Sequence, residues 1–173
     1  MNDMVLQKLE GGLLTITMNR PDRRNALSPD MTRGLVEAAR RAAEDYDVRA
    51  VLLKGAGGTY FLTQLLGSAK ARELYLTSPV LTAKEAYDLG MVTRVVPDAE
   101  VEAAAHELAM SLAQGPSVTL GYIKRNINNA EHLSLEACFD GEAIHHTRAG
   151  ETADHKEAAK AFVEKRKANF QGK

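Results

Sequence analysis

Two β-rich runs, Leu13–Met18 and Val48–Lys54, stand on either side of one amphipathic helix, and that order restricts the N-terminal part to a right-handed βαβ unit. Ser28 is placed as an N-cap and Pro29 at the first helical position. Met31, Leu35, Ala39, Ala42 and Ala43 then recur at helical spacing, so the helix is expected to reach about Tyr46. Val48–Lys54 is a nearly continuous apolar run, of the kind buried on both faces of a parallel sheet. Val5–Leu9 reads as a further strand, joined to Leu13–Met18 through Gly11-Gly12 as a hairpin. Between the hairpin and the helix lies a polar loop, Asn19–Leu27, with Arg20, Arg23 and Arg24.

From Gly55 to Val96 the chain reads as short helices ending in a strand. Gly55–Gly58 form a loop free to take positive φ, and Thr59, Ser68 and Thr82 each stand where a helix N-cap is expected. Thr82-Ala83-Lys84-Glu85 has the capping-box spacing, and Gly90 supplies a left-handed helix end. Ala83–Leu89 is then a helix feeding a strand, Met91–Val96. Pro97-Asp98 opens another helix, with Val101, Ala104, Ala105, Leu108 and Leu112 on one face and Gly115 at its end. Three more helices follow, Ser117–Ala130, Leu135–Ala149 and Asp154–Lys167, separated by Ser134 and by Gly150 with Thr152. Ile123, Ile127, Leu135, Phe139, Ile144, Phe162 and Val163 are too many large apolar side chains for free-standing helices, and they require a partner surface. The class is α/β, with a β-rich core over residues 1–96 and a helical region over 97–173 for packing and oligomerisation.

Bulk properties exclude several functions. A chain of 173 residues, 45% hydrophobic and 26% charged, has the balance and size of one globular domain with a real core. Its net charge of −1 provides no general field for nucleic acid, so an anion must be held by a local cluster. No apolar run approaches the ~20 residues of a membrane span. Cys138 has no second cysteine to pair with, and Met1–Glu10 lacks the pattern of a signal peptide, so the cytoplasm is the expected compartment. His145 and His146 are adjacent and project at different angles, while His106, His132 and His155 are isolated, so no metal site is expected.

The series Gly57, Gly58, Thr59, Leu62, Thr63, Gly67, Ala71, Ala83, Glu85, Ala86, Gly90 and Val92 resembles, in fixed register, the enoyl-CoA hydratase/isomerase (crotonase) family. The resemblance implies a crotonase-like fold, a ββα spiral core with a helical C-terminal region. It also implies assembly as a homotrimer or a dimer of trimers through that region. The loop NRPDRRNALS resembles the family's N-R-P-x-x-x-N-A-L segment, which lies along the pantetheine and phosphates of coenzyme A. Arg23 or Arg24 would serve the phosphates through charge-assisted hydrogen bonds, and the backbone around Ala26 and Leu27 would meet the pantetheine amides or the adenine edge. The ending AFVEKRKANFQGK resembles the segment A-F-x-E-K-R-x-x-x-F, which places Phe162 and Lys165 near the nucleotide, with Lys124 as a further basic neighbour. The implied ligand is an acyl-CoA thioester, with coenzyme A as part of the substrate and no separate cofactor.

One departure is large. In the family, the strand corresponding to Val48–Lys54 leads into a loop supplying half of an oxyanion hole. A later glycine-rich segment supplies the other half, and the acidic residues that act on the α and β carbons follow. Here Lys54-Gly55-Ala56-Gly57-Gly58-Thr59 runs straight from the strand into the later helix, as though the middle had been excised between Lys54 and Thr59. The catalytic residues are therefore expected in the absent segment. Glu73 and Glu85 are the nearest acids, and a solvated or capping role suits them better. An internal deletion of this kind should leave Val48–Lys54 beside exposed apolar surface. An intact mass of 18.8 kDa would identify the deletion as real. The expected reaction is hydration of a trans-2-enoyl-CoA, with double-bond isomerisation close behind. A non-catalytic CoA-binding or assembly remnant is the reading if the deletion is real.

Overall fold

The computed structural model describes residues 4–23, 25–54 and 59–173. Gly11 and Gly12, at φ 56° and 83°, close the turn between β1 (Val5–Glu10) and β2 (Leu13–Met18), where a hairpin of two residues needs positive φ at both positions. The strands pair antiparallel, with Val5 opposite Met18 and Glu10 opposite Leu13. The chain then passes through a 3-10 turn at Pro21–Arg23 into α1 (Pro29–Glu44), capped by Ser28, whose hydroxyl accepts from the Met31 N–H at 3.2 Å. It returns as β3 (Ala50–Lys54), parallel to β2, with Leu14 opposite Val51 and Ile16 opposite Leu53. The sheet order is β1-β2-β3.

The two faces of β2 seed two cores. Leu14, Ile16 and Met18 are buried with Val5 against Met31 and Ala38 of α1. Leu13 points the other way, where Ala109 and Ala113 of α4 (Val101–Ala113) cover it together with Ala50 and Leu52. The buried face of α1 is thus Met31, Gly34 and Ala38, with Leu35 and Ala42 beside it, while Ala39 and Ala43 of the expected face are exposed. On α4 the sheet is met by the small residues, and Val101, Leu108 and Leu112 are each about half exposed instead of buried. Small side chains permit the close approach, and Met110 packs beside them and reaches toward Gly11.

β3 departs from the expectation that it is buried on both faces. Val51 and Leu53 are 46% and 52% exposed, because α1 packs on β1 and β2 and does not extend over β3. α2 (Thr59–Thr77) is two helical segments joined at Gly67, whose non-helical φ of 75° and ψ of 162° break the first from a second that begins at Ser68. α3 (Ala83–Asp88) has the full capping box between Thr82 and Glu85. It ends in a Schellman motif, with Gly90 at φ 76°, the Gly90 N–H donating to the Tyr87 carbonyl and the Met91 N–H to that of Ala86. Residues 91–96 are not a strand. A strand needs a neighbour for its N–H and C=O groups, and the sheet among the described residues offers none there.

A 3-10 turn at Asp98–Glu100 leads into α4. The remaining helices are α5 (Ser117–Ala130), α6 (Leu135–Glu151) and α7 (Ala153–Val163). Gly150 does not separate α6 from α7, since it lies within α6. Thr152 alone makes the junction, closing one helix and capping the next through its hydroxyl, which accepts from the His155 N–H at 3.1 Å. α7 stops at Val163, short of the expected Lys167, because Lys165 takes φ 52° and turns the chain. Among the described residues no helix is long and apolar enough to cross a membrane.

Candidate functional site

The loop after β2 is built by its own residues. Asn25 adopts φ 57°, a conformation asparagine tolerates better than most side chains, and its Oδ1 accepts from the Arg20 N–H at 2.8 Å. The Asn25 N–H donates to the Arg20 carbonyl at 2.9 Å. Arg20 reaches across the loop and donates to the Ala26 carbonyl at 3.1 Å. It is therefore a brace, while Arg23 is a solvent-facing cation, with its side chain 69% exposed and a loose ion pair to Asp22 at 3.7 Å. Ala26 is exposed and its N–H donates to the Arg23 carbonyl at 2.9 Å; Leu27 is 65% exposed. Arg24 lies outside the described residues, as do Gly55–Gly58. The loop offers the Arg23 guanidinium and the exposed Leu27 side chain, while the N–H and C=O of Ala26 are already bonded within the loop. The guanidinium is the group that a phosphate would use.

The C-terminal set is arranged around the end of α7. Phe162 is 85% exposed and Lys165 is exposed in the turn that follows. That turn repeats the Schellman pattern: the Lys165 N–H donates to the Phe162 carbonyl at 3.3 Å and the Arg166 N–H to the Ala161 carbonyl at 3.0 Å. Arg166 fixes the turn by gripping both oxygens of Glu157, at 2.5 and 3.0 Å, while its Nε meets Glu164 at 2.6 Å. The Arg166 hydrogen bonds, followed by the Asn169 N–H at 2.9 Å, hold the Glu157 carboxyl at about 2, well below its ordinary value of 4.5. Phe162 and Lys165 stand at the end of α7, which packs on α6, while the Arg23 loop lies between β2 and α1 in the chain. Lys124 belongs to α5.

Two groups escaped the sequence reading. Asp154 is 2% exposed, and its two oxygens accept from the Gln171 and Gly172 N–H groups at 2.6 and 2.8 Å, clasping the tail to the start of α7. Arg49 donates to the Gly115 carbonyl at 2.6 Å, and a side chain at Gly172 would meet its guanidinium at 3.3 Å. The N-terminal sheet, the α4–α5 turn and the tail therefore meet at Arg49. An aspartate in the first turn of a helix with a capping threonine already present was the only signal available, and it named no partner.

The acids near the junction are engaged structurally. Glu73 pairs with Lys70 at 2.6 Å, and Glu85 accepts from the Thr82 hydroxyl and N–H, which hold its carboxyl below the usual range. His145 is buried on α6, stacked on Tyr122 with ring centroids 4.6 Å apart and hydrogen-bonded through Nδ1 to Asn126. A cleft of about 650 Å³ opens beside it between α5 and α6, lined by Ile123, Phe139 and Glu142 among others. Cys138 is half-buried, and among the described residues no cluster of His, Cys, Asp or Glu could hold a metal ion.

The sequence model of the enoyl-CoA hydratase/isomerase family matches residues 8–61 and 52–173, in two stretches that share residues 52–61. The 1,2-epoxyphenylacetyl-CoA isomerase of Escherichia coli K12 is 38% identical over 122 residues, 70% of this chain and 47% of that protein. The mitochondrial enoyl-CoA hydratase of Pongo abelii is 33% identical over 120 residues, 68% of this chain and 41% of that protein. This chain thus spans about half the length of the curated relatives it matches. In fold it is similar to the crystal structure of an enoyl-CoA hydratase/isomerase from Mycobacterium paratuberculosis, with a TM-score of 0.89 at 20% identity, covering 100% of both chains. It is likewise similar to an enoyl-CoA hydratase from Bacillus anthracis, with a TM-score of 0.87 at 19% identity, covering 98% of this chain and 100% of that one.

Proposed function

The chain belongs to the enoyl-CoA hydratase/isomerase family, with a crotonase-like α/β fold, and from that premise we propose that it binds acyl-CoA thioesters and serves the hydration of trans-2-enoyl-CoA to 3-hydroxyacyl-CoA. The observation that carries the reading is that the family match runs through both ends of the chain. Arg23, Arg24, Ala26 and Leu27 lie in its first stretch, and Phe162 and Lys165 in its second. In this proposal Arg23 or Arg24 meets the phosphates, the backbone at Ala26 and Leu27 lies along the pantetheine, and Phe162 with Lys165 takes the nucleotide end. Water adds to the β carbon and a proton to the α carbon through a thioester enolate, so the reaction needs oxyanion donors and an acid/base carboxylate. One oxyanion donor is worth about 10²–10³ in rate and general acid/base catalysis roughly 10²–10⁴. We assign those groups to the segment absent between Lys54 and Thr59, so turnover belongs to a protein in which that segment is present.

Double-bond isomerisation in an acyl-CoA is the nearest alternative, and the E. coli relative is an isomerase by name. A non-catalytic CoA-binding or assembly remnant is the second reading, favoured by the four residues that separate β3 from α2 in a chain whose match spans about half of its relatives' length. A homotrimer or dimer of trimers, and a cytoplasmic location, complete the proposal. Calorimetric titration of the chain with crotonyl-CoA tests it. Binding that weakens about tenfold or more in Arg23→Ala supports the reading, and no binding to the wild-type chain overturns it. Following water addition to crotonyl-CoA beside migration of the double bond in a 3-enoyl-CoA separates the two reactions in any form of the protein that turns over.

A further inference from the structure

We propose that Asp154 is a positioning residue for the nucleotide end of the acyl-CoA site: it fastens the tail that follows Lys165, and only with the tail fastened is Lys165 held ready for the ligand. This role rests on the acyl-CoA reading and deepens it.

Asp154 stands in the first turn of α7 and is 2% exposed. Thr152 already supplies the side-chain cap of that helix, so the burial of a carboxylate there needs another cause. A carboxylate taken out of water is costly unless its oxygens are bonded. Its Oδ1 accepts from the Gln171 N–H at 2.6 Å and its Oδ2 from the Gly172 N–H at 2.8 Å, while the Asp154 N–H donates to a Lys173 main-chain oxygen at 3.0 Å. Three successive tail residues are bonded to one residue of α7. Glu157, three residues further along the helix, holds the near half of the tail: its oxygens accept from Arg166 at 2.5 and 3.0 Å and from the Asn169 N–H at 2.9 Å. Residues 166–173 therefore run back along α7 toward its first turn, and Lys165 is the bend.

The far end of the tail is wedged as well as bonded. Gly172 has φ 75°, and a Cβ there would stand 2.6 Å from the Ser117 Oγ and 3.3 Å from the Arg49 Nε. Arg49 is itself fixed, its guanidinium donating to the Gly115 carbonyl at 2.6 Å and its backbone N–H to the Gly12 carbonyl at 2.7 Å. The tail so ends against α7, the α4–α5 turn and the sheet. Lys165 at φ 52° is strained, and a strained residue persists only where the chain around it is fixed. On one side α7 fixes it; on the other, the fastened tail does. Asp154 is the buried fastening and Glu157 the partly exposed one, so losing Asp154 leaves two tail N–H groups without an acceptor where water replaces it least readily. The share of molecules with Lys165 in place then follows the tail, and the affinity for an acyl-CoA follows that share.

Asp154→Ala and Gly172→Ala unfasten the tail from its two sides. The first removes both acceptors. The second leaves Asp154 and the start of α7 intact, and strains the tail at φ 75° while crowding Ser117, so it carries the test if the first variant does not fold. Amide exchange at Gln171 and Gly172, read without ligand, should quicken by roughly tenfold or more in each variant. Calorimetric titration with crotonyl-CoA should show affinity lower by about tenfold in each, and no further loss when either change is made in Lys165→Ala, since a residue acting through Lys165 has nothing left to position. A merely structural role would instead give the same loss with and without Lys165, which overturns the proposal. Full affinity with fast-exchanging tail amides overturns it too, as does unchanged exchange in both variants. Failure of the wild-type chain to bind crotonyl-CoA overturns the acyl-CoA reading and the role with it. Binding by the wild-type chain with full affinity in the variants overturns the role alone.

Discussion

Lys165 occupies a place that the backbone would rather give to glycine. It stands at φ 52° as the left-handed residue of a Schellman turn, where a side chain costs on the order of 1 kcal/mol relative to glycine. Strain held at one residue points to a use for its side chain. Lys165→Gly should therefore raise stability by about 1 kcal/mol in urea unfolding while weakening acyl-CoA binding, and a variant that gains stability with unchanged affinity would remove Lys165 from the proposed site. A second residue gives a dependence on pH. The Glu157 carboxyl sits at about 2 in the folded chain, below its ordinary 4.5, through its bonds to Arg166 and to the Asn169 N–H. A depressed carboxyl contributes stability that is fully present above pH 4.5 and is lost as pH falls toward 2. Protection of the Asn169 amide should fade across that window, and Glu157→Gln should remove the dependence.

Among the elements, the kink of α2 makes the firmest demand on sequence. Gly67 has φ 75° and ψ 162°, a region essentially reserved for glycine, and no atom lies within 4 Å of where a Cβ would stand. The cost of Gly67→Ala is therefore backbone strain without a clash, about 1–3 kcal/mol, measurable as a lower urea midpoint with an unchanged slope. A neutral result would mean that α2 can straighten. The same contrast between local and distant causes decides how much of the fold could be read in advance. Ser28 and Thr82 cap the helices the sequence assigns to them, and Ser134 and Thr152, which the sequence marks only as separators, prove to be caps, because a cap is made by residues three apart; Thr59, expected as a cap, is the first residue of α2 itself. The face of α4 and the state of residues 91–96 depend on neighbours far along the chain. The spacing of Leu108 and Leu112 names an apolar stripe but not whether a sheet or a partner will meet it. The candidate site divides in the same way: the motifs singled out Arg23 and Lys165, whereas the Arg20 brace, the left-handed Asn25 and the Asp154 clasp come from contacts that no pattern announces.

At the scale of the whole molecule, the exposed apolar surface and the short link between β3 and α2 lead to one measurement. Ile123, Ile127, Leu135, Phe139 and Ile144 are all about half exposed or more on α5 and α6, beyond what isolated helices carry comfortably in water. Subunit contacts can cover that helical face, and a trimer of this chain would weigh three times 18.8 kDa by light scattering. Such assembly covers the helices without supplying an oxyanion hole, so assembly and catalysis come apart. If the protein isolated from its own source has an intact mass of 18.8 kDa, it should bind crotonyl-CoA and add water at no more than the uncatalysed rate, because both oxyanion donors and the acid/base groups are missing together. The E. coli relative, of which 122 residues are 47%, is about 260 residues long against 173 here, and a mass larger by roughly those 90 residues should come with hydration of crotonyl-CoA. Turnover by the 18.8 kDa chain alone would contradict the assignment of the chemistry to the absent segment. It would require the acid to be found among Glu73, Glu85 and the other carboxylates that now serve ion pairs and caps.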